Sequence, residues 1–162
     1  MPLTIRTAVA ADSEALTAIS FAAKAHWGYP PEYFAVWRDE LTITPGYIEK
    51  NLVRVAECDS RIIGYFAVSE ADAGFRAGPL AVAKGFWLDH IFILPAYIGR
   101  GVGSQLIAVL RDCCRAQGIG KLAIFADPNA SGFYDKLGAR RLGEAPSNIA
   151  GRTVPLYELT IS

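Results

Sequence analysis

Apolar and polar residues alternate from Leu3 to Thr7, the period of a strand that buries one face. Asp12 then stands where a helix N-cap belongs, ahead of Leu16, Ile19 and Ala23 at helical spacing. His26-Trp27-Gly28-Tyr29-Pro30-Pro31 breaks this first helix. A second helix is predicted over Glu32–Leu41, with Tyr33, Phe34 and Trp37 on one face, and Pro45-Gly46 ends it. A short helical turn follows near Tyr47–Asn51. Leu52–Glu57 and Ile62–Ser69 read as strands joined by the hairpin turn Cys58-Asp59-Ser60-Arg61. Ala71–Lys84 is rich in small residues and reads as a loop. Gly85–Leu94 is the most strand-like segment of the chain, and Pro95 stops it because proline cannot donate to a ladder.

From Val102 the period changes. Val102, Leu106, Val109, Leu110, Cys113 and Gln117 recur at helical spacing, with Arg111, Asp112 and Arg115 facing away. Gly118 and Gly120 mark the C-terminal end. Lys121–Phe125 is a further strand, Asp127-Pro128-Asn129 caps a short helix over Ala130–Leu137, and Arg140–Leu142 and Val154–Thr160 supply the last strands. Alternating strands and helices in the second half imply an α/β (α+β) fold: a mixed central sheet with helices packed on it. Residues 1–162 are expected to form a single domain, with no linker, repeat or low-complexity tract.

Composition narrows the function. At 52% hydrophobic and 20% charged the chain can bury a core and is not disordered. Sixteen basic residues balance sixteen acidic ones, which argues against a nucleic-acid binder working through bulk charge. No run of 18 uncharged apolar residues appears, so no membrane span is expected. The first nineteen residues mix Arg6, Asp12 and Glu14 among apolar positions and lack a signal-peptide core, so a cytoplasmic location is expected. Cys58, Cys113 and Cys114 are an odd set without metal spacing; they read as buried filler, and no metal site is expected.

The informative segment runs from Ile91 through Pro95 to Ser104. A buried strand enters a glycine-rich turn at Ile98-Gly99-Arg100-Gly101-Val102-Gly103-Ser104, and the turn opens an amphipathic helix. Glycines allow φ > 0 and let an anion approach without meeting a Cβ. The helix N-terminus behind them offers unbonded N–H groups and partial positive charge, so the turn suits a phosphate. It is not a P-loop, since GxxxxGK[ST] is absent. A dinucleotide fingerprint fails too, because Ser104 stands where the third glycine belongs. A nicotinamide or nucleotide enzyme using this turn would need an acidic ribose ligand after the next strand, where Asp127 lies.

Ile93-Leu94-Pro95 followed by Gly99-x-Gly101-x-Gly103 resembles the acetyl-CoA motif of the GNAT superfamily of N-acetyltransferases, [RQ]-x-x-G-x-[GA]. Asp127-Pro128-Asn129-Ala130-x-x-Phe133-Tyr134-x-Lys136-Leu137-Gly138-Ala139 is similar to the family's Asn-x-x-Ala-x-x-Phe-Tyr-x-x-Leu-Gly-Phe segment, slightly shifted. Ile5-Arg6 and Ala10-Ala11-Asp12 look like the family's opening strand and helix. The resemblance spans nearly the whole chain in order. Position 98 departs from it: Ile stands where the family has Arg or Gln, and Arg100 is the cation beside it.

The resemblance implies transfer of an acetyl group from acetyl-CoA to a primary amine, attacking directly in a ternary complex. It assigns the turn from Ile98 to Ser104 to the pyrophosphate and the strand at Ile91, Phe92 and Ile93 to the pantetheine arm, with Asn129 and Phe133 beside it. Asn129 could equally cap its helix. Tyr134 matches the family's general acid; otherwise it is a core aromatic. His90, Asp89 and a water relay remain open as base, and strand alternation sends His90 and Asp89 to opposite faces. His26, Trp27 and Tyr29 either wall the acceptor site or pack. The acceptor, a small molecule or a peptide amine, stays undefined, and a homodimer is compatible. A GNAT-like domain that senses acyl-CoA without turnover is the alternative.

Overall fold

The computed structural model describes residues 2–161; Met1 and Ser162, the ends of the expected domain, lie outside the described residues. Two compact units emerge, one reaching to Val68 and including His90–Asp112, the other comprising Ser69–Asp89 and the chain from Cys113 onward.

The first unit contains β1 (Thr4–Thr7), α1 (Ser13–Ala25), α2 (Pro31–Leu41), α3 (Pro45–Lys50), β2 (Leu52–Cys58) and most of β3 (Arg61–Ala71). Strand β1 runs antiparallel to β2, and β2 to β3, with Val55 opposite Tyr65. Asp59 and Ser60 form the two-residue hairpin loop, both at positive φ (52° and 62°), which matches the right-handed twist of the strands they join. Leu16, Ile19, Ile43, Ile48, Val53, Val55 and Tyr65 form the core here. Burial of these side chains supplies the drive, at about 1.5–3 kcal/mol for each large one.

Two local expectations change. Asp12 occupies the N-cap position of α1 but makes no side-chain cap bond. Its carboxylate accepts instead from the Val9 N–H (2.8 Å) and from the Arg6 guanidinium (2.8 and 3.1 Å), which also pairs with Glu57. The charged donor two residues before the loop outcompetes a neutral N–H, and that hydrogen bond holds the Asp12 carboxyl below its ordinary range. Pro45-Gly46 does not end α2, which stops at Leu41. Pro45 opens α3, where a missing N–H costs nothing, and Thr44 Oγ1 caps it by accepting from the Tyr47 N–H (3.1 Å).

The second unit holds β7 (Lys121–Phe125), α5 (Ser131–Lys136), β8 (Arg140–Pro146) and β9 (Thr153–Thr160). Strand β6 (Gly85–Ile93) contributes its first half here and its second half to the first unit. The pairing β6–β7 is parallel at Trp87↔Ala123, and β7–β9 and β8–β9 are antiparallel. The sheet is thus mixed, as expected, and most of its pairings are antiparallel. The predicted loop at Ala71–Lys84 contains a small hairpin, β4 (Phe75–Ala77) and β5 (Leu80–Val82), turning at Gly78-Pro79. Three-residue strands are too short to show a period. Strand β8 also runs past Leu142, because a bulge at Arg141/Gly143 interrupts its alternation.

Helix α4 (Val102–Ala116) buries Val102, Leu106, Ile107, Leu110 and Cys114. The expected seam holds at its start and drifts at its end: Val109 and Cys113 are half-buried and Gln117 is exposed. At 3.6 residues per turn, a Val102–Leu106–Leu110 stripe continues to Cys114. The three cysteines are free, Cys58 and Cys114 buried and Cys113 half-buried; burial pushes the Cys114 thiol up to about 11.

Candidate active site

The glycine-rich turn lies in the first unit. Pro95–Tyr97 forms one 3-10 turn after β6, and Ile98 follows in extended conformation. Gly99 and Gly101 then take φ of 81° and 79°, a region that side chains with a Cβ rarely enter. A Cβ on either would meet nothing within 4 Å, so the backbone faces open space. Gly101 O accepts the first helical bond, from the Gln105 N–H (3.2 Å). The N–H groups of Val102, Gly103 and Ser104 therefore sit in the first turn of α4, where helix geometry provides no acceptor. Val102 is buried and anchors the turn, while Ile98 is 49% exposed. The Arg100 guanidinium stacks over Tyr97, 5.4 Å from the ring centre.

His90, Ile91, Phe92 and Ile93 make up the end of β6 and are half-buried. The His90 ring meets Phe92 (5.6 Å), Tyr65 (6.1 Å) and Tyr47 (6.3 Å). Tyr65 is fully buried, and its hydroxyl lies 2.6 Å from Ser20 Oγ, which donates to Leu16 O. Asp89, next along the strand, is exposed. Ile63 O accepts from the Leu94 N–H (2.8 Å), and Phe92 O sits 3.0 Å from where a Cβ on Gly64 would be. Glycine at 64 lets β3 and β6 approach that closely.

Asn129, Phe133 and Tyr134 belong to the second unit. Asp127 is the cap: its Oδ1 accepts from the Asn129 N–H (2.9 Å) and from Asn129 Nδ2 (3.1 Å). The helix-capping role weighed for Asn129 therefore falls to Asp127, which precedes the 3-10 turn Pro128–Ala130; Asn129 is inside that turn and exposed. Tyr134 is buried at 6% exposure, edge-on to Phe133 (5.3 Å) and tilted against Tyr157 (5.6 Å). Tyr157 is fixed by donating to Asp135 Oδ1 (2.9 Å). Burial, and secondarily the Asp127 carboxylate, pushes the Tyr134 phenol well above its ordinary value. It stays protonated at neutral pH.

In the first unit the aromatic segment after α1 divides. Tyr29 packs edge-on against Trp37 (5.0 Å) and beside Tyr33 (5.9 Å), with Lys24 Nζ over the rings of Trp37 (4.6 Å) and Tyr29 (5.7 Å). His26 and Trp27 touch each other (5.0 Å) and are exposed, Trp27 at 44%.

The sequence profile of the acetyltransferase (GNAT) domain matches residues 49–138, which include both the glycine turn and Tyr134. The chain belongs to the GNAT acetyltransferase family. It is 31% identical over 88 residues to an uncharacterized N-acetyltransferase, ycf52, of Pyropia yezoensis; the match covers 54% of this chain and 45% of that relative. The chain thus spans under half the length of the relative it matches. In fold it is similar to a GCN5-related N-acetyltransferase from Rhodopseudomonas palustris (TM-score 0.78, 20% identity, 99% of this chain and 96% of that one). The PaiA N-acetyltransferase of Thermoplasma acidophilum, solved with coenzyme A, superposes at TM-score 0.75 (19% identity, 99% of each chain). A GNAT acetyltransferase of Brucella melitensis solved with acetyl-CoA gives 0.64 (21%, covering 99% and 89%).

For a GNAT chain, Tyr47 and Tyr65 around His90, and Tyr157 behind Tyr134, are neighbours that sequence reasoning missed. They come from strands and helices far apart in sequence. Only the strand pattern of β9, with Tyr157 opposite Ile124, offered a hint. The division of the aromatic segment carries a prediction. Trp27→Ala should shift the melting free energy by under about 1 kcal/mol, as exposed positions do. Trp37→Ala, at 3% exposure, should cost about 3–5 kcal/mol. Melting curves of the two variants check this, and a comparable loss in both would place Trp27 in the core.

Proposed function

We propose that residues 1–162 act as one acetyltransferase domain that moves an acetyl group from acetyl-CoA to a primary amine. The observation that carries this is the turn: two left-handed glycines facing open space ahead of the first N–H groups of α4. That backbone suits a pyrophosphate, and relatives of the same fold hold coenzyme A and acetyl-CoA. Ile98 removes the side-chain cation of the family pattern, so backbone N–H groups from Gly99 to Ser104 carry the contact, with Arg100, stacked over Tyr97, as the nearby cation. Acetyl-CoA supplies the activated acyl group as a thioester. The end of β6 offers backbone groups at Ile91–Ile93 to the pantetheine arm, and Asn129 and Phe133 are the second unit's candidates for cofactor contact.

The acceptor amine forms the new C–N bond as the C–S bond breaks. Tyr134 donates its phenolic proton to the departing sulfur, and the amine proton passes to His90, to Asp89 or to a water between protein groups. Proton transfer of this kind contributes about 10²–10⁴ in rate. His26 and Trp27 present an exposed aromatic edge to a small-molecule or peptide amine, while Tyr29 holds the segment against Trp37. The free cysteines are compatible with a cytoplasmic location, and among the described residues no helix is long and apolar enough to cross a membrane. A homodimer is compatible with this reading.

Thermal melting with acetyl-CoA and NAD side by side tests the binding step. At 100 times its Kd a ligand stabilises by about 2.7 kcal/mol. Acetyl-CoA should raise the melting temperature and NAD should leave it unchanged; a shift with NAD alone would overturn the reading.

A further inference from the structure

The second unit contains a cleft of about 640 Å³ that shares no residue with the turn or with Tyr134. It lies at the starts of β6 and β7 and the end of β9. In the register of β6, β7 and β9, Trp87 lies beside Ala123 and Ala123 beside Glu158, with Lys121 beside Thr160 on the same face. Phe86, Trp87, Ala123, Leu142 and Leu156 give it an apolar wall, and Val82 at the end of the small β4–β5 hairpin closes one side. Leu142 is 39% exposed there.

Its charge is uneven. Lys84, Lys121 and Glu158 line it, and Glu158 is already shared between Lys121 (3.7 Å) and Arg140 (3.4 Å). Lys84 is exposed and carries no ion-pair partner among the described residues. The rim therefore holds uncompensated positive charge above an apolar wall. We propose that this cleft binds a small organic monoanion with a flat apolar body, of the aryl carboxylate class, its carboxylate on Lys84 and its ring against Trp87 and Leu142. The volume falls in the range of pockets that enclose a whole small ligand, about 300–1,000 Å³, and is too small for a folded partner. Aromatic walls favour a planar body through offset stacking.

Titration calorimetry of the full chain with 2-naphthoate, and with 2-naphthalenemethanol as its uncharged counterpart, tests the site. Naphthoate should bind one to one and at least tenfold more tightly than the alcohol. Lys84→Gln should remove that advantage, and Leu142→Trp, at an exposed position, should weaken both probes tenfold or more by filling the cleft. Saturating acetyl-CoA should leave naphthoate bound. Equal affinity for the two probes, no saturable binding, unchanged affinity in Leu142→Trp or displacement by acetyl-CoA would each overturn the proposal. So would a concentration-dependent dimer that naphthoate disperses, since a second copy would then be the occupant.

Discussion

Gly101→Val should abolish acetyl-CoA binding in calorimetry while the protein stays folded. Gly101 sits at φ 79°, and a β-branched residue there is strained by about 1–3 kcal/mol. That is a fraction of the 5–15 kcal/mol that a domain of this kind holds in reserve. The new methyl groups project where a Cβ meets nothing within 4 Å, the space a phosphate needs to reach the first N–H groups of α4. Relaxing the strain would also turn those N–H groups away. Both effects act on the same contact, so a loss of at least 100-fold is expected, about 2.7 kcal/mol. Gly103→Val should do the same from inside the helix's first turn, with a melting curve to verify folding because Gly103 is buried. Wild-type affinity in both variants would remove the turn from the cofactor site.

Tyr134→Phe should lower kcat at least tenfold with acetyl-CoA affinity nearly unchanged. The substitution keeps the ring that packs against Phe133 and Tyr157 and deletes the hydroxyl that donates the proton. A group that must be protonated to act, and whose pKa is raised by burial, stays competent well into alkaline solution. The wild-type kcat profile should therefore rise through the titration of the base and show no fall up to about pH 10, the ordinary tyrosine value. An alkaline decline at neutral-range pH in the wild type, or full turnover in the phenylalanine variant, would assign the acid elsewhere.

Much of this fold was legible because its strands and helices carry their periods openly: Lys121–Phe125 appears as predicted, and Gly85–Leu94 ends within one residue of β6. The glycine turn was legible because glycine spacing encodes backbone conformation directly, and Gly99 and Gly101 take positive φ. What stayed hidden depends on partners distant in sequence. Nothing near His90 says that Tyr47 and Tyr65 will surround it; the Arg6–Asp12 pair is local, six residues apart, but the helix-cap pattern at Asp12 masks it. The hairpin at Phe75–Val82 escaped because three residues cannot display alternation. Trp27 and Trp37 are the same residue type ten positions apart, yet one is exposed and the other buried, since only the packing of α2 decides which ring faces the core.

The central claim is amine-dependent transfer, and thiol release from acetyl-CoA tests it most directly. Wild-type protein and Tyr134→Phe are incubated with a panel of small and peptide primary amines, and free thiol is followed with product mass. The expected result is thiol release that requires an amine, yields the N-acetylated product and drops at least tenfold in Tyr134→Phe. Tight acetyl-CoA binding with no amine-dependent release above the Tyr134→Phe level, across the panel, would contradict transfer and leave a domain that senses acyl-CoA.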